Sequence, residues 1–234
     1  MRVSIVLPTF NESDNIGLLI RSLRKSLGGD HSLQFIVVDD SSTDGTADRA
    51  LQHLDLNFDH IIRRESPRSL AGSILDGLRT AAYEQVLVMD TDFTHDPIDA
   101  SKLLAVAPHF DVVIGSRFVS GGSMASRWHY RASATFNVLV RNILSIQVRD
   151  CLGGFWTAPT LVIKPHLCAA VFSGYGDYFI RLAFCLSHQR SSIIEVPVTF
   201  RDRLTGTSKS RFVRMLFTYA FTALSSRLSP PQCR

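Results

Sequence analysis

The 234-residue chain lacks any run of about 18 or more uncharged apolar residues, so no segment reads as a membrane-spanning helix. The nearest candidate, "MLFTYAFTAL" at Met215–Leu224, is too short to span a bilayer, although it can lie on one. The N-terminal "MRVSIVLPTFNE" reaches Pro8 and Glu12 after an apolar run too brief for a secretory leader, and is not read as one. Also absent is G-x-x-x-x-G-K-[ST], which argues against a P-loop NTPase, together with G-x-S-x-G, C-x-x-C and H-E-x-x-H. The four cysteines, Cys151, Cys168, Cys185 and Cys233, form no closely spaced pair. They read as reduced thiols of a cytosolic protein, not as a disulfide framework or a zinc site. A formal charge of +4 and a pI near 9.0 are mildly basic. That balance suits nucleic acid, an anionic membrane face or phosphorylated small molecules, and does not choose among them.

Apolar material is plentiful, at 45% of residues, enough for one large domain with its own core. The first half alternates short β-branched runs with helical patterns. "VSIVL" (Val3–Leu7), "FIVVD" (Phe35–Asp39), "HIIRR" (His60–Arg64), "VLVMD" (Val86–Asp90) and "VVIGS" (Val112–Ser116) read as strands covered on both faces. Helical stretches run between them, at Asn15–Leu27, Thr46–Leu54, Ser69–Ala82 and Ile98–Ala107, with Asp14, Asp44, Ser69 and Pro97 at N-cap or first-turn positions. This alternation predicts an open, mostly parallel α/β sheet that takes ligands at the carboxyl ends of its strands.

The second half is less regular. A loop at Gly121–Ser126 leads into a long helix, "RWHYRASATFNVLVRNILS", and a further helix near Tyr178–Gln189 precedes a strand at Ser192–Phe200. A basic turn, "RDRLTGTSKSR", and an amphipathic segment at Phe212–Leu228 follow. No internal repeat, low-complexity tract or clear linker is visible. One domain over residues 1–210 is expected, with 211–234 as an amphipathic segment at a membrane surface or a partner.

The strand ends are where chemistry is expected. "LVMDTDFTHDP" drives an apolar strand into two carboxylates, Asp90 and Asp92, two residues apart. Like charges this close cost free energy unless something positive lies between them. The turns "PTFNE" and "DDSSTDGT" put Glu12, Asp39 and Asp40 on the same edge. Each alone is a plausible turn. Together they form an acidic edge on a net-basic protein, able to accept hydrogen bonds from a base and a ribose. The Asp90–Asp92 pair fits a hard divalent cation, Mg²⁺ or Mn²⁺, that takes phosphate oxygens as further ligands. His95 reads as a solvated or capping residue, and "LAGSILDG" as a packing feature.

In this order, "IVLPTFNE", "VVDDSSTDGT", "VMDTDFTHDP", "VIGSRF", "GG…W…R" and "EVPVTFRDRLTGTSKS" resemble a family 2 glycosyltransferase of the GT-A, Rossmann-like fold. Within it the resemblance is to dolichol-phosphate mannosyltransferase-like enzymes and their polyprenyl-phosphate relatives, over about Val3–Lys209. The resemblance implies an inverting, metal-dependent transfer of a sugar from a nucleotide-sugar, GDP-mannose first among donors, to a polyprenyl or dolichyl phosphate. It implies that Pro8, Glu12, Asp39 and Asp40 line the nucleotide, and that Asp90 and Asp92 hold the metal and diphosphate, with Asp92 catalytic. Arg117 and Arg131, catalytic alongside Asp92, would hold the acceptor phosphate with Ser133 or Thr135 near by, and Arg203, Ser208 and Lys209 would belong to a segment closing over the donor phosphates. A phosphate monoester is already ionised at neutral pH, so such a reaction needs orienting arginines more than a general base.

Departures from the family pattern leave the sugar and acceptor open. "DCLGGFW" stands where relatives carry D-x-T-S-G-F/Y, Thr94 where many have Gln or Ser, and Asp177 near an expected helical Glu; "SPRSLAGSI" replaces a Lys- and Gly-rich loop. A UDP-sugar donor, a non-lipid acceptor and a non-catalytic nucleotide-sugar-binding subunit are the alternatives. A polyprenyl acceptor implies a peripheral enzyme on the cytosolic face of a membrane, with a membrane-anchored subunit as a further partner and no nucleic acid. The helix containing Trp128 and the Phe212–Leu228 segment, where arginines flank aromatics, are the candidate contacts. Packing of the latter on the core is the ordinary alternative.

Overall fold

The computed structural model describes residues 1–65, 67–201 and 212–233. In chain order the elements are β1 (Arg2–Thr9), α1 (Ser13–Leu27), β2 (Ser32–Asp39), α2 (Thr46–Leu51), β3 (His60–Arg63), α3 (Leu70–Thr80), β4 (Gln85–Val88), α4 (Pro97–Val106), β5 (Val112–Ser116) and β6 (Ser123–Met124). There follow α5 (Arg127–Leu144), β7 (Trp156–Pro159), α6 (Thr160–Ile163), α7 (Tyr178–His188), β8 (Ile193–Pro197), β9 (Thr199–Phe200) and α8 (Phe212–Leu228). Seven strands form one sheet in the order β3-β2-β1-β4-β7-β5-β8, parallel except for β7, which runs antiparallel to both β4 and β5. β6 and β9 make a separate parallel pair beyond the ends of β5 and β8.

Alternation along each strand divides the core into two layers. Val3, Ile5 and Leu7 of β1, with Phe35 and Val37 of β2, face Ile16, Leu19, Ile20 and Leu23 of α1 and Leu103 of α4. Val6, Ile36 and Val38 face the other way, with α3, α5, α7 and the inner side of α8. Each fully buried aliphatic side chain contributes about 1.5–3 kcal/mol. Ser69 caps α3 by accepting the Gly72 N–H at 3.0 Å, and Asp96 caps α4, whose first residue is Pro97.

Three expectations are corrected. No strand was expected at "FWTAP", yet β7 enters there between β4 and β5. The single strand expected at Ser192–Phe200 is broken at Val198 into β8 and β9, because its end leaves the main sheet to pair with β6. Cys168 and Cys233 are joined in a disulfide, brought within 5.5 Å (Cα–Cα) by the fold across 65 residues, so only Cys151 and Cys185 are free. In α8, apolar side chains such as Phe217 and Phe221 point outward.

Gly77 of α3 sits directly over β1, where an added Cβ would lie 2.5 Å from Val6 Cγ1 and 3.1 Å from Val38 Cγ2. The second glycine of "LAGSILDG" is therefore a packing requirement. Gly77→Ala is expected to destabilise the protein by about 1–3 kcal/mol through overpacking, read from the urea midpoint. An unchanged midpoint would mean that α3 can shift off the sheet without cost.

Candidate active site

The carboxyl ends of β1, β2 and β4 lie side by side because β1 pairs in register with both neighbours, Thr9 opposite Asp39 and Val6 opposite Val88. Each end turns sharply. Asn11 (φ 53°), Ser41 (φ 64°) and Phe93 (φ 61°) occupy the left-handed region, three of the five non-glycine residues among those described that do so. Such positions cost free energy and persist where surrounding contacts hold them, commonly at functional sites.

Side-chain hydrogen bonds hold these loops. Asn11 Oδ1 accepts the Thr43 N–H at 3.0 Å, and its own N–H donates to Ser42 Oγ at 2.9 Å. The Glu12 N–H donates to Thr46 Oγ1 at 2.8 Å, while its carboxylate accepts from Asn15 Nδ2 at 2.7 Å. The loops after β1 and β2 are thus laced together. Thr91 Oγ1 donates to the Pro8 carbonyl at 3.3 Å, which hangs the "DTD" turn on the end of β1. Within that turn Asp92 Oδ1 accepts from the Thr94 N–H at 3.0 Å and from Thr94 Oγ1 at 2.6 Å.

Pro8, Glu12, Asp39, Asp90 and Asp92 are therefore gathered on one edge. Asp39 is buried, accepting from Thr9 Oγ1 at 3.4 Å and from both the N–H and the hydroxyl of Ser42. Asp40 differs. Its carboxylate is taken by the Arg64 guanidinium and by the Ser69 N–H at 2.7 Å, and Arg64 reaches on to Asp76 at 2.9 Å. Asp40 is placed as an internal brace, not toward the edge. Arg64 was missed in the sequence because nothing local pairs it with residues 24 positions away.

Arg117 is also placed differently from expectation. Its guanidinium is buried and grips Asp150 through two hydrogen bonds, Nε–Oδ2 at 2.8 Å and Nη2–Oδ1 at 2.7 Å, while lying 4.4 Å from the Phe200 ring centroid. The fork expected to hold an acceptor phosphate is thus spent on a carboxylate. Asp150 in turn is held by its N–H to Glu195, at 2.9 Å, which fixes the "DCLGGFW" loop against β5 and β8. Arg131 and Thr135 are exposed one helical turn apart on α5, with Ser133 buried on the inner side. Arg203, Ser208 and Lys209 lie outside the described residues. Arg201 donates its N–H to the Thr94 carbonyl at 3.1 Å and pairs with Asp96 at 2.5 Å, which fixes Arg201 beside the "DTD" turn.

His95 is not solvated. It is buried between Phe155 (stacked, centroids 4.7 Å apart) and Phe200 (edge-on, 4.6 Å), and its Nδ1 accepts the Asp90 N–H at 3.1 Å. The proton therefore resides on Nε2. Burial pushes its pKa down to about 4; Asp92 opposes that shift and Arg117 adds to it. A neutral imidazole thus fixes where Asp90 begins.

Residues 4–162 match glycosyl transferase family 2. The chain is 31% identical to the polyprenol monophosphomannose synthase of Mycolicibacterium smegmatis, covering 97% of this chain and 89% of that one. It is 32% identical to the undecaprenyl-phosphate mannosyltransferase of Micrococcus luteus, over 89% and 87% respectively. Among solved structures it resembles Mycobacterium tuberculosis glucosyl-3-phosphoglycerate synthase in complex with Mn²⁺, UDP and phosphoglyceric acid. That match has a TM-score of 0.71 at 19% identity and covers 99% of this chain and 80% of the other. At that identity the likeness is one of fold, and the sheet described above is the GT-A arrangement.

His95→Phe keeps a ring between Phe155 and Phe200 but leaves the buried Asp90 N–H without its acceptor, at a cost of about 1–3 kcal/mol near neutral pH. The folded pKa lies below the ordinary 6.5, so the wild-type advantage is complete above pH 6.5 and is lost as pH falls toward 4. Urea denaturation at pH 7 and pH 5 should show the gap between wild type and variant narrowing at the lower pH. A constant gap would mean that His95 titrates as it does in the unfolded chain.

Proposed function

The chain belongs to glycosyl transferase family 2, and from that premise we propose that it transfers mannose from GDP-mannose to a polyprenyl phosphate with inversion at the sugar carbon. The observation that carries the reading is the acidic edge, where Glu12, Asp39, Asp90 and Asp92 are fixed by interlocked loops. Two relatives whose names specify a polyprenyl-phosphate mannose product match along most of their length, which supports both the acceptor and the sugar.

The donor set at Asp90 and Asp92 is hard oxygen, the chemistry of Mg²⁺ or Mn²⁺. Among the described residues no three His, Cys, Asp or Glu side chains cluster closely enough to enclose an ion. A site of two carboxylates that leaves its other positions to water and substrate phosphate fits such a cation. When bound, the ion neutralises the diphosphate leaving group.

The protein's own residues do the rest. Pro8, Glu12 and Asp39 receive the nucleoside, and Arg203 and Lys209 bind the donor diphosphate. Arg131 and Thr135 orient the acceptor phosphate, Ser133 supports the helix from within, and Arg117 acts through Asp150 as a positioning residue. The phosphate oxygen forms its bond to the sugar's anomeric carbon as the bond to the nucleoside diphosphate breaks, and no proton need be removed from the nucleophile. We place the enzyme peripherally on the cytosolic face of a membrane, residues 1–210 as its catalytic domain and 211–234 as an appended segment.

Transfer of labelled mannose to a prenyl phosphate tests this. Asp92→Ala should abolish turnover while keeping the melting temperature within a few degrees, and undiminished transfer would remove the metal assignment. Arg131→Ala should raise KM for the lipid phosphate about tenfold, the scale of one charge-assisted hydrogen bond, with a smaller change in kcat. An unchanged KM would put the acceptor elsewhere.

A further inference from the structure

Helix α8 buries a side of small, polar and apolar residues and leaves its phenylalanines outside. Phe217, Phe221, Leu224 and Leu228 are 75%, 71%, 50% and 75% exposed and follow the i, i+4, i+7, i+11 spacing of one outer stripe. The inner side carries Tyr219, Thr222, Ala223 and Ser226, all buried. Thr222 Oγ1 donates to Asp177 Oδ2 at 3.2 Å, and Tyr219 closes on Gly176, where an added Cβ would lie 2.4 Å from the tyrosine hydroxyl. Beyond the helix, Cys233 is bonded to Cys168. The helix is therefore held by Met215, Leu216, Tyr219, Ala220 and Ala223 packed on the core, by polar contacts and by the disulfide, while Phe217, Phe221, Leu224 and Leu228 face outward. In water that arrangement forgoes the burial of four large apolar side chains.

The neighbouring helix α5 continues the same surface. Trp128, Val138 and Leu139 are exposed along with Arg127 and Arg131, and Arg227 is exposed at the end of α8. Neither "RWHYRASATFNVLVRNIL" nor "FVRMLFTYAFTALSSRL" contains an aspartate or a glutamate. An exposed apolar stripe on helices that carry arginines and no carboxylate complements an anionic lipid surface.

We infer that α5 and α8 together dock the protein on an anionic bilayer, with Phe217 and Phe221 seated among the lipids and α8 acting as a strap to the donor site. The choice of a bilayer over a protein partner rests on the proposed polyprenyl-phosphate acceptor. The strap is continuous: Thr222 is bonded to Asp177, Asp177 accepts the Tyr175 N–H at 2.8 Å, and the adjoining Gly174 carbonyl accepts from Ser69 Oγ at 3.0 Å, whose own N–H holds Asp40. Docking thus bears on the loop that abuts the nucleotide edge.

Vesicle flotation of the full chain tests the inference, with phosphatidylcholine vesicles against vesicles containing about a third phosphatidylglycerol. Wild type should float with the anionic vesicles, and the double variant Phe217→Ser/Phe221→Ser should bind at least tenfold more weakly with its melting temperature unchanged. Separately, Phe221→Trp should float like wild type and show a blue shift in fluorescence when vesicles are added. Wild type left unbound by anionic vesicles, or a double variant that floats equally well, would overturn the inference. So would a wild-type dimer that the double variant dissolves without any vesicle binding, since the stripe would then be a contact between two copies. Transfer to a short-chain, water-soluble prenyl phosphate separates the two readings. The double variant should retain it, and its absence in wild type beside normal flotation would sink the proposed reaction while supporting the docking face.

Discussion

The in-register pairing of β1 with β2 and β4 is the constraint on which the rest depends. It brings three strand ends to one level, so that the turns leaving them meet and lace together. A one-residue slip would invert the faces of β1, moving Val3, Ile5 and Leu7 into the wrong layer. The hydrophobic core therefore sets the position of the acidic edge. Asp39 and the "DTD" turn are where they are because Phe35, Val37 and Leu87 are buried against α1 and α4.

Concentrating carboxylates on one edge raises a repulsion that the fold manages by sorting them. Asp40 and Asp150 are turned inward and neutralised by buried arginines, Arg64 and Arg117. Such pairs stabilise little relative to an apolar core, but losing one partner leaves a buried charge and costs about 3–5 kcal/mol. Their value lies in fixing loops. Arg64–Asp40 holds the start of α3, and Arg117–Asp150 holds the loop between α5 and β7. His95 does the same for Asp90 without a charge. Asp92 is held within its own turn by the N–H and hydroxyl of Thr94.

Much of the fold was legible because it rests on local patterns. The β-branched runs at β1, β2, β3 and β5 and the caps at Ser69 and Pro97 are short-range signals, and the elements formed where those signals stood. β7 was not legible, since "GGFWTAP" is glycine-rich and its pairing with β4 and β5 is set by distant residues. The acidic edge could be read because turn residues follow each apolar run. What could not be read were partners: that Arg117 belongs to Asp150, that His95 is buried between two phenylalanines, and that Cys168 meets Cys233. α8 shows the limit most plainly. "FVRMLFTYAFTAL" is apolar nearly all round, so sequence alone did not reveal which side the protein covers.

The most direct test of the acidic edge as a donor site is a thermal-shift comparison of GDP and UDP, each with and without Mn²⁺. A nucleotide at about a hundred times its Kd adds roughly 2.7 kcal/mol to the folded state, a rise of about 5–10 °C for a domain of this size. The account predicts that GDP produces such a rise only when Mn²⁺ is present. No shift with either nucleotide in the presence of the metal would contradict it, and would leave "DTD" an ordinary turn.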